Sequence, residues 1–230
     1  MIAIVLNAMP PLVFSTTIEE HYNAGQKYLE KEEYDKAISE LQMALEIDPN
    51  LPPIYNMLGI VYLRQNKSIE SAIGSFQEAI RIDPNYAEAY YNLAITYLDE
   101  NAGNNPDSAV ASFEKVIQIS PQFAKAYVGL GFVTLTKLQN PEKALEYINR
   151  AIALDPNQAE AYFYQGIAYT AMKKQPEALK PLSTLRSLQR YDLATNLEQY
   201  MRNEEQKKEE LSAQLSSDQL PEAKTGPTKI

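Results

Sequence analysis

The sequence predicts an all-α chain, a solenoid of tandem helix-turn-helix hairpins, on three observations. The stretch IDPNYAEAYYNLAITYL at 82–98 recurs as LDPNQAEAYFYQGIAYT at 154–170, with fainter copies IDPNLPPIYNMLGIVYL at 47–63 and ISPQFAKAYVGLGFVTL at 119–135. Pro49, Pro84, Pro121 and Pro156 punctuate these copies at spacings of 35, 37 and 35 residues, and a period in the mid-thirties marks stacked helical units. Within one period, Tyr90, Leu93, Ala94 and Tyr97 form one apolar stripe at helical spacing and Ala109, Phe113 and Val116 a second, so each unit holds two helices.

Composition narrows the function. With 230 residues, 45% of them hydrophobic and 22% charged, the chain has the apolar material for a folded body. Its net charge of -9 argues against nucleic acid, whose binding needs clustered Lys and Arg to displace counterions. The absence of cysteine removes disulfides, thiolate metal sites and Cys nucleophiles.

Element by element, repeat one (18–51) carries His21, Ala24, Gly25, Tyr28, Ala37, Leu41, Ala44 and Pro49. Repeat two (52–86) carries Tyr55, Leu58, Gly59, Tyr62, Ala72, Phe76, Ala79 and Pro84. Repeat three (87–123) has Tyr90, Leu93, Ala94, Tyr97, Ala109, Phe113, Val116 and Pro121; repeat four (124–158) has Tyr127, Leu130, Gly131, Thr134, Ala144, Ile148, Ala151 and Pro156. Repeat five (159–190) keeps Tyr162, Gly166, Tyr169, Ala178 and Leu182, with Gln165 and Arg190 as departures. Small residues at the eighth and twentieth positions let the paired helices approach, and the large residues fill the spaces between them. Proline closes the second helix, since it cannot continue the hydrogen-bond ladder. Pro106, Pro141 and Pro176 open others, with Asn105 and Asn140 as caps. The extra residues of repeats two, three and four fall at the turn inside the hairpin, most of them in DENAGNNPDS at 99–108, where insertion costs little.

Read together, these positions resemble the tetratricopeptide (TPR) repeat, a unit of about 34 residues, over 18–190. The resemblance implies a right-handed superhelix whose first helices line a concave groove. Beyond it, Leu193, Leu197, Tyr200 and Met201 make a narrow apolar stripe, with Asp192 as a cap, so residues 191–211 are expected to be a capping helix that runs on as a solvated extension. Residues 212–230 read as a disordered tail. At the other end, residues 1–17 contain no charged side chain. They are too short for a membrane span of about 20 residues and lack the marks of a signal peptide. Three readings stand: packing on the solenoid, attachment to a membrane, or a wrongly chosen start codon. In the first, Ile4, Leu6, Leu12 and Phe14 anchor residues 1–14 near Tyr22, Leu29, Ile60 and Leu63.

No catalytic constellation is present. The one histidine, His21, takes a packing position, and neither a Gly-rich phosphate loop nor a metal-ligand cluster occurs. No enzyme activity, cofactor or metal is expected. At about 100° per residue the fifth, ninth and twelfth positions of each first helix form one stripe, the one that lines the groove in TPR proteins. Here it comprises Tyr22, Asn56, Tyr91, Val128 and Phe163; Gln26, Ile60, Ile95, Phe132 and Ile167; and Leu29, Leu63, Leu98, Leu135 and Thr170, with Asn92 beside them. So apolar a stripe calls for an occupant.

The sequence therefore predicts a non-catalytic protein–protein interaction scaffold or chaperone-like assembly factor, cytoplasmic, that binds a protein or peptide client through apolar anchors. The alternative is an assembly factor for a membrane complex, of photosynthetic or envelope type, attached through the N-terminal segment; that is a fold-level analogy. TPR co-chaperones that grip acidic heat-shock-protein C-termini use Lys, Asn and Arg where this chain has Tyr22, Gln26, Met57, Glu88 and Asn92. With no cation to meet a carboxylate, that clamp is not expected.

Overall fold

The structure, a computed structural model, describes residues 11–65, 68–100 and 104–218, with side chains except at 11–16, 213 and 215–218. Among the described residues there are eleven helices and no strand: α1 (Pro11–Glu30), α2 (Tyr34–Ile47), α3 (Pro52–Gln65), α4 (Ile69–Ile82), α5 (Ala87–Tyr97), α6 (Pro106–Ile119), α7 (Ala124–Thr136), α8 (Pro141–Leu154), α9 (Ala159–Ala171), α10 (Gln175–Ser187) and α11 (Tyr191–Asp218). The contacts divide the chain into two units, Met1–Val133 and Thr134–Ile230.

The recurrent DPN signature is a turn built from its own side chains. The carboxylates of Asp48 and Asp83 accept the backbone N–H groups of Asn50 and Asn85 at 2.8 and 2.9 Å, and Asp155 does the same for Asn157 at 3.0 Å. This Asx geometry reverses the chain where proline forbids further helix. Two of the following helices are pinned to the turn before them: the Tyr127 hydroxyl donates to the carbonyl of Pro121 at 3.3 Å and Tyr162 to that of Pro156 at 3.1 Å. The caps on α6 and α8 are also side-chain bonds, Asn105 accepting from the Ser108 N–H and Asn140 from that of Lys143, both at 3.0 Å. Ser68 caps α4 in the same way at 3.1 Å.

In the first unit, α1 pairs with α2, α3 with α4 and α5 with α6; α3 also packs on α1 and α2, and α5 on α3 and α4. The small residues act as the pattern required. A Cβ on Gly59 would stand 2.4 Å from the Phe76 ring, and one on Gly25 would stand 2.9 Å from the Leu41 side chain. Phe76, Leu41, Ala37, Ala44, Ala72 and Ala79 are fully buried around these contacts. Further along, Gly129 seats α7 against the ring of Phe113, also 2.4 Å from an ideal Cβ.

In the second unit, α9 pairs with α10, packs on α8 and receives α11, which also touches α10. The core joins Ala159, Leu182, Leu185, Ala194 and Leu197. Leu197 sits over Gly166, whose ideal Cβ would lie 2.4 Å from it, so α11 shields the last hairpin with the residue a further repeat would otherwise supply. Arg190, standing where the repeat asks for proline, bonds both carboxylate oxygens of Asp192 at 3.1 and 3.0 Å and Glu160 at 2.9 Å. It ties the start of α11 to the start of α9.

Three boundaries differ from the sequence reading. Asp192 is not a cap; it lies inside the first turn of α11, which begins at Tyr191. Residues 212–218, assigned to a disordered tail, belong to α11, because neither glycine nor proline interrupts the chain before Pro221 and the charged run carries i,i+3 pairs such as Glu204–Lys207. Residues 11–17, grouped with the apolar segment, are the first turns of α1 and continuous with the first repeat. The anchoring proposed for Ile4, Leu6, Leu12 and Phe14 lies outside the described residues and side chains.

Candidate peptide-binding face

The first helices of the first three repeats, α1, α3 and α5, lie side by side, so the stripes on them form one face within the first unit. A side-chain bond crosses between two of them: the Asn92 amide donates to the carbonyl of Asn56 at 2.8 Å. Tyr22 and Ile60 pack against the core cluster of Leu29, Ala37, Leu41, Ala44, Ile54, Leu58 and Val61. Ile60 and Leu63 lean on the next cluster, around Ala72, Phe76 and Leu93. The Tyr91 ring packs at a tilt against those of Phe113 and Phe123, with ring centroids 5.8 and 5.2 Å away. Leu98 is half-buried just past the end of α5.

Two stripe residues in this unit reach solvent as exposed side chains, Gln26 on α1 and Ile95 on α5. Ile95 is 43% exposed, a large apolar group held out beside the half-buried Tyr91, Asn92 and Leu98. Phe132 on α7 is half-buried. Asn56 and Val128 require correction as surface contacts: both are buried, the first because its carbonyl is committed to Asn92. Leu29 and, in the second unit, Leu135 and Thr170 are buried as well. There Phe163 and Ile167 pack against the cluster built from α9, α10 and α11, so the fifth repeat's part of the stripe is used in packing. The stripe was expected to be apolar enough to call for an occupant. Most of its apolar area is instead used in helix packing, and what remains is one projecting anchor among amides and phenols.

Two neighbours of this face escaped the sequence reading. Tyr86 precedes α5 and lies near Tyr22; burial, with Glu88, Tyr22 and Asp83 adding negative potential, pushes its phenol up to about 12. Midway along α1, Ile18, Glu19 and Tyr22 line an apolar recess of about 500 Å³ together with Leu51, Pro53 and Ile54 at the start of α3. The Leu-Pro-Pro run at 51–53 was the available signal, since its prolines open α3. His21 is a packing residue in fact: its Nδ1 lies 2.7 Å from Glu40 Oε2, joining α1 to α2. Among the described residues no group of three or more His, Asp or Glu is placed to hold a metal ion, and no helix is long and apolar enough to cross a membrane.

Tandem hairpins closed on Gly and Ala contacts, with DPN turns between them, define a helical-repeat protein. Models of the TPR repeat match residues 25–66 and 63–101, and further tetratricopeptide repeat models match 101–163 and 147–180. The chain belongs to the tetratricopeptide repeat family. No curated protein matches it in sequence. Among solved structures, MamA protein is 26% identical with a TM-score of 0.61, covering 76% of this chain and 93% of that one. YrrB, a TPR protein with an unusual peptide-binding site, is 20% identical with a TM-score of 0.60, over 81% of this chain and 97% of its own. TTC0263, a thermophilic TPR protein of Thermus thermophilus, is 19% identical with a TM-score of 0.63, over 80% of this chain and 98% of its own. The last two share the fold alone.

Proposed function

We propose that the chain is a non-catalytic scaffold that binds an extended peptide or helix of a client protein across α1, α3 and α5. The observation that carries this reading is Ile95, an exposed apolar side chain set beside amide groups on packed, pre-formed helices. Such a surface holds a client by burying an apolar side chain against Ile95 and Leu98 while Gln26 and Asn92 exchange hydrogen bonds with its backbone. Because the helices are already packed, little ordering entropy opposes binding. YrrB, described as having an unusual peptide-binding site, is a precedent on the same fold.

The test is selection of displayed peptides on the full chain, followed by titration of the selected peptides against the chain and its Ile95→Asp variant. Burying one large apolar side chain contributes roughly 1.5 to 3 kcal/mol, so the variant, folded by circular dichroism, should bind at least about tenfold more weakly. Undiminished binding would remove Ile95 and this face from the proposal.

A further inference from the structure

Two departures from the repeat meet on one groove of the second unit. At the seventh position of the first helix, repeats two, three and four carry Leu58, Leu93 and Leu130, all buried. Repeat five has Gln165 there, half-buried on α9. Among the second helices of the repeats, α10 alone holds a proline in its interior, Pro181. Neither departure favours packing. An amide at this position forgoes the burial of a leucine, and Pro181 has no N–H to give the carbonyl of Glu177 and crowds the preceding turn. Local exceptions of this kind are expected at functional sites.

Both residues line the same groove, of about 660 Å³, together with Tyr162 and Tyr169 of α9 and Glu177 and Lys180 of α10. That volume is within the roughly 300–1,000 Å³ of ligand sites. Tyr162, Gln165 and Tyr169 stand at i, i+3 and i+7, along one line of α9. The two tyrosines are therefore about 10.5 Å apart along the helix, at ~1.5 Å per residue. A polyproline II chain repeats every three residues, roughly 9.3 Å at ~3.1 Å each. Prolines three apart thus meet successive tyrosine rings, the aromatic contact by which proline-rich segments are recognised. Gln165 commits its Nε2–H to Asn149 Oδ1 at 2.8 Å, leaving Oε1 to accept a peptide N–H. The Lys180 ammonium can donate to peptide carbonyls, which polyproline II leaves without internal partners. The same tyrosine spacing recurs at Tyr55 and Tyr62 and at Tyr90 and Tyr97, but there the buried Leu58 and Leu93 stand between the pair and offer a backbone nothing polar.

We propose that this groove binds a proline-rich segment of a partner protein in the polyproline II conformation, with prolines on Tyr162 and Tyr169 and the backbone between them on Gln165 and Lys180. The site uses the fourth, seventh and eleventh positions of α9, not the fifth and ninth. It lies in the second unit and does not depend on the client face of α1, α3 and α5.

Calorimetric titration of the full chain with two blocked decapeptides tests it. One has the sequence Pro-Ala-Ala repeated and closed by proline; the other spaces its prolines four apart. The first should bind, and the second at least about tenfold more weakly. Gln165→Leu and Pro181→Ala, which restore an apolar packing residue and a regular helix, should each raise the thermal midpoint and yet weaken the first peptide at least about tenfold. A gain of stability with a loss of binding separates a site from a folding defect. Ile95→Asp should leave the affinity unchanged. Absence of binding, equal binding of the two peptides, or undiminished binding by Gln165→Leu and Pro181→Ala would overturn the proposal. So would a loss in Ile95→Asp, which would place the peptide on the first unit's face. Binding that appears only after truncation behind Asp218 would assign the groove to the chain's own C-terminal residues and overturn it as well.

Discussion

Two glycines of one hairpin separate packing from propensity. Gly59 in α3 and Gly74 in α4 are both helical, and replacing either by alanine gains about 0.8–1.0 kcal/mol of helix propensity. Gly74 has nothing within 4 Å of its ideal Cβ, whereas at Gly59 the new atom would meet three atoms of the Phe76 ring at 2.4, 2.7 and 2.7 Å. Carbon atoms rest at roughly 3.5–4.0 Å, so the ring must move by about 1 Å, and Phe76 is fully buried with no slack to accept it. Overpacking of this kind costs about 1–3 kcal/mol. As the propensity gain is common to both variants, the difference between Gly74→Ala and Gly59→Ala is the overpacking cost itself. Gly74→Ala should be about 1 kcal/mol more stable than the parent and Gly59→Ala about 1–3 kcal/mol less stable than Gly74→Ala. Urea unfolding followed by circular dichroism reads both, at unchanged slope. In a Phe76→Leu background the gap should narrow, because two of the three clashing atoms, Cε1 and Cζ, are gone. Equal midpoints for the two alanine variants would refute the claim that Gly59 exists to admit Phe76.

Three further outcomes follow from the same geometry. Asn92→Ala leaves the buried carbonyl of Asn56 without its donor and should cost about 1–3 kcal/mol, while Asn56→Leu with Asn92→Leu should recover much of it; a double-mutant cycle with no coupling would contradict the bond. Tyr86 keeps its proton up to about pH 12 when folded but releases it near ~10 when unfolded, so its contribution is complete below ~10 and is lost as pH rises through the folded value. The stability difference between parent and Tyr86→Phe should be flat below pH ~9 and fall between ~10 and about 12, and a flat profile throughout would contradict it. An acidic C-terminal peptide of the heat-shock type should show no binding by calorimetry, as Tyr22, Gln26 and Asn92 offer no cation; low-micromolar affinity would remove that exclusion.

The fold was legible because local signals agreed with the repeat. Asp48, Asp83 and Asp155 make the same turn three times, and Gly25, Gly59 and Gly166 each answer a large residue on a neighbouring helix. The ends were less legible. The polar stretch from Ser212 reads as a tail where α11 continues to Asp218, since composition alone does not distinguish a solvated helix from a solvated coil. The face was half legible. Helical rotation assigns Asn56, Val128 and Ile95 to one stripe, but whether a stripe residue is exposed depends on how closely the next helix approaches, which a single repeat does not encode. Asn56 is covered and Ile95 is not. The recess at Ile18 and Ile54 arises between two helices and has no linear signature beyond the prolines that position them.

The central claim is that the α1–α3–α5 face takes a peptide client. A photo-crosslinking residue at Ile95 tests it directly, with the same residue at Gly74, exposed on α4, as control. With a peptide selected on the full chain, the account predicts a crosslink at position 95 that unlabelled peptide competes away, and none at position 74. A crosslink of equal yield at both positions, or at position 74 alone, would contradict it.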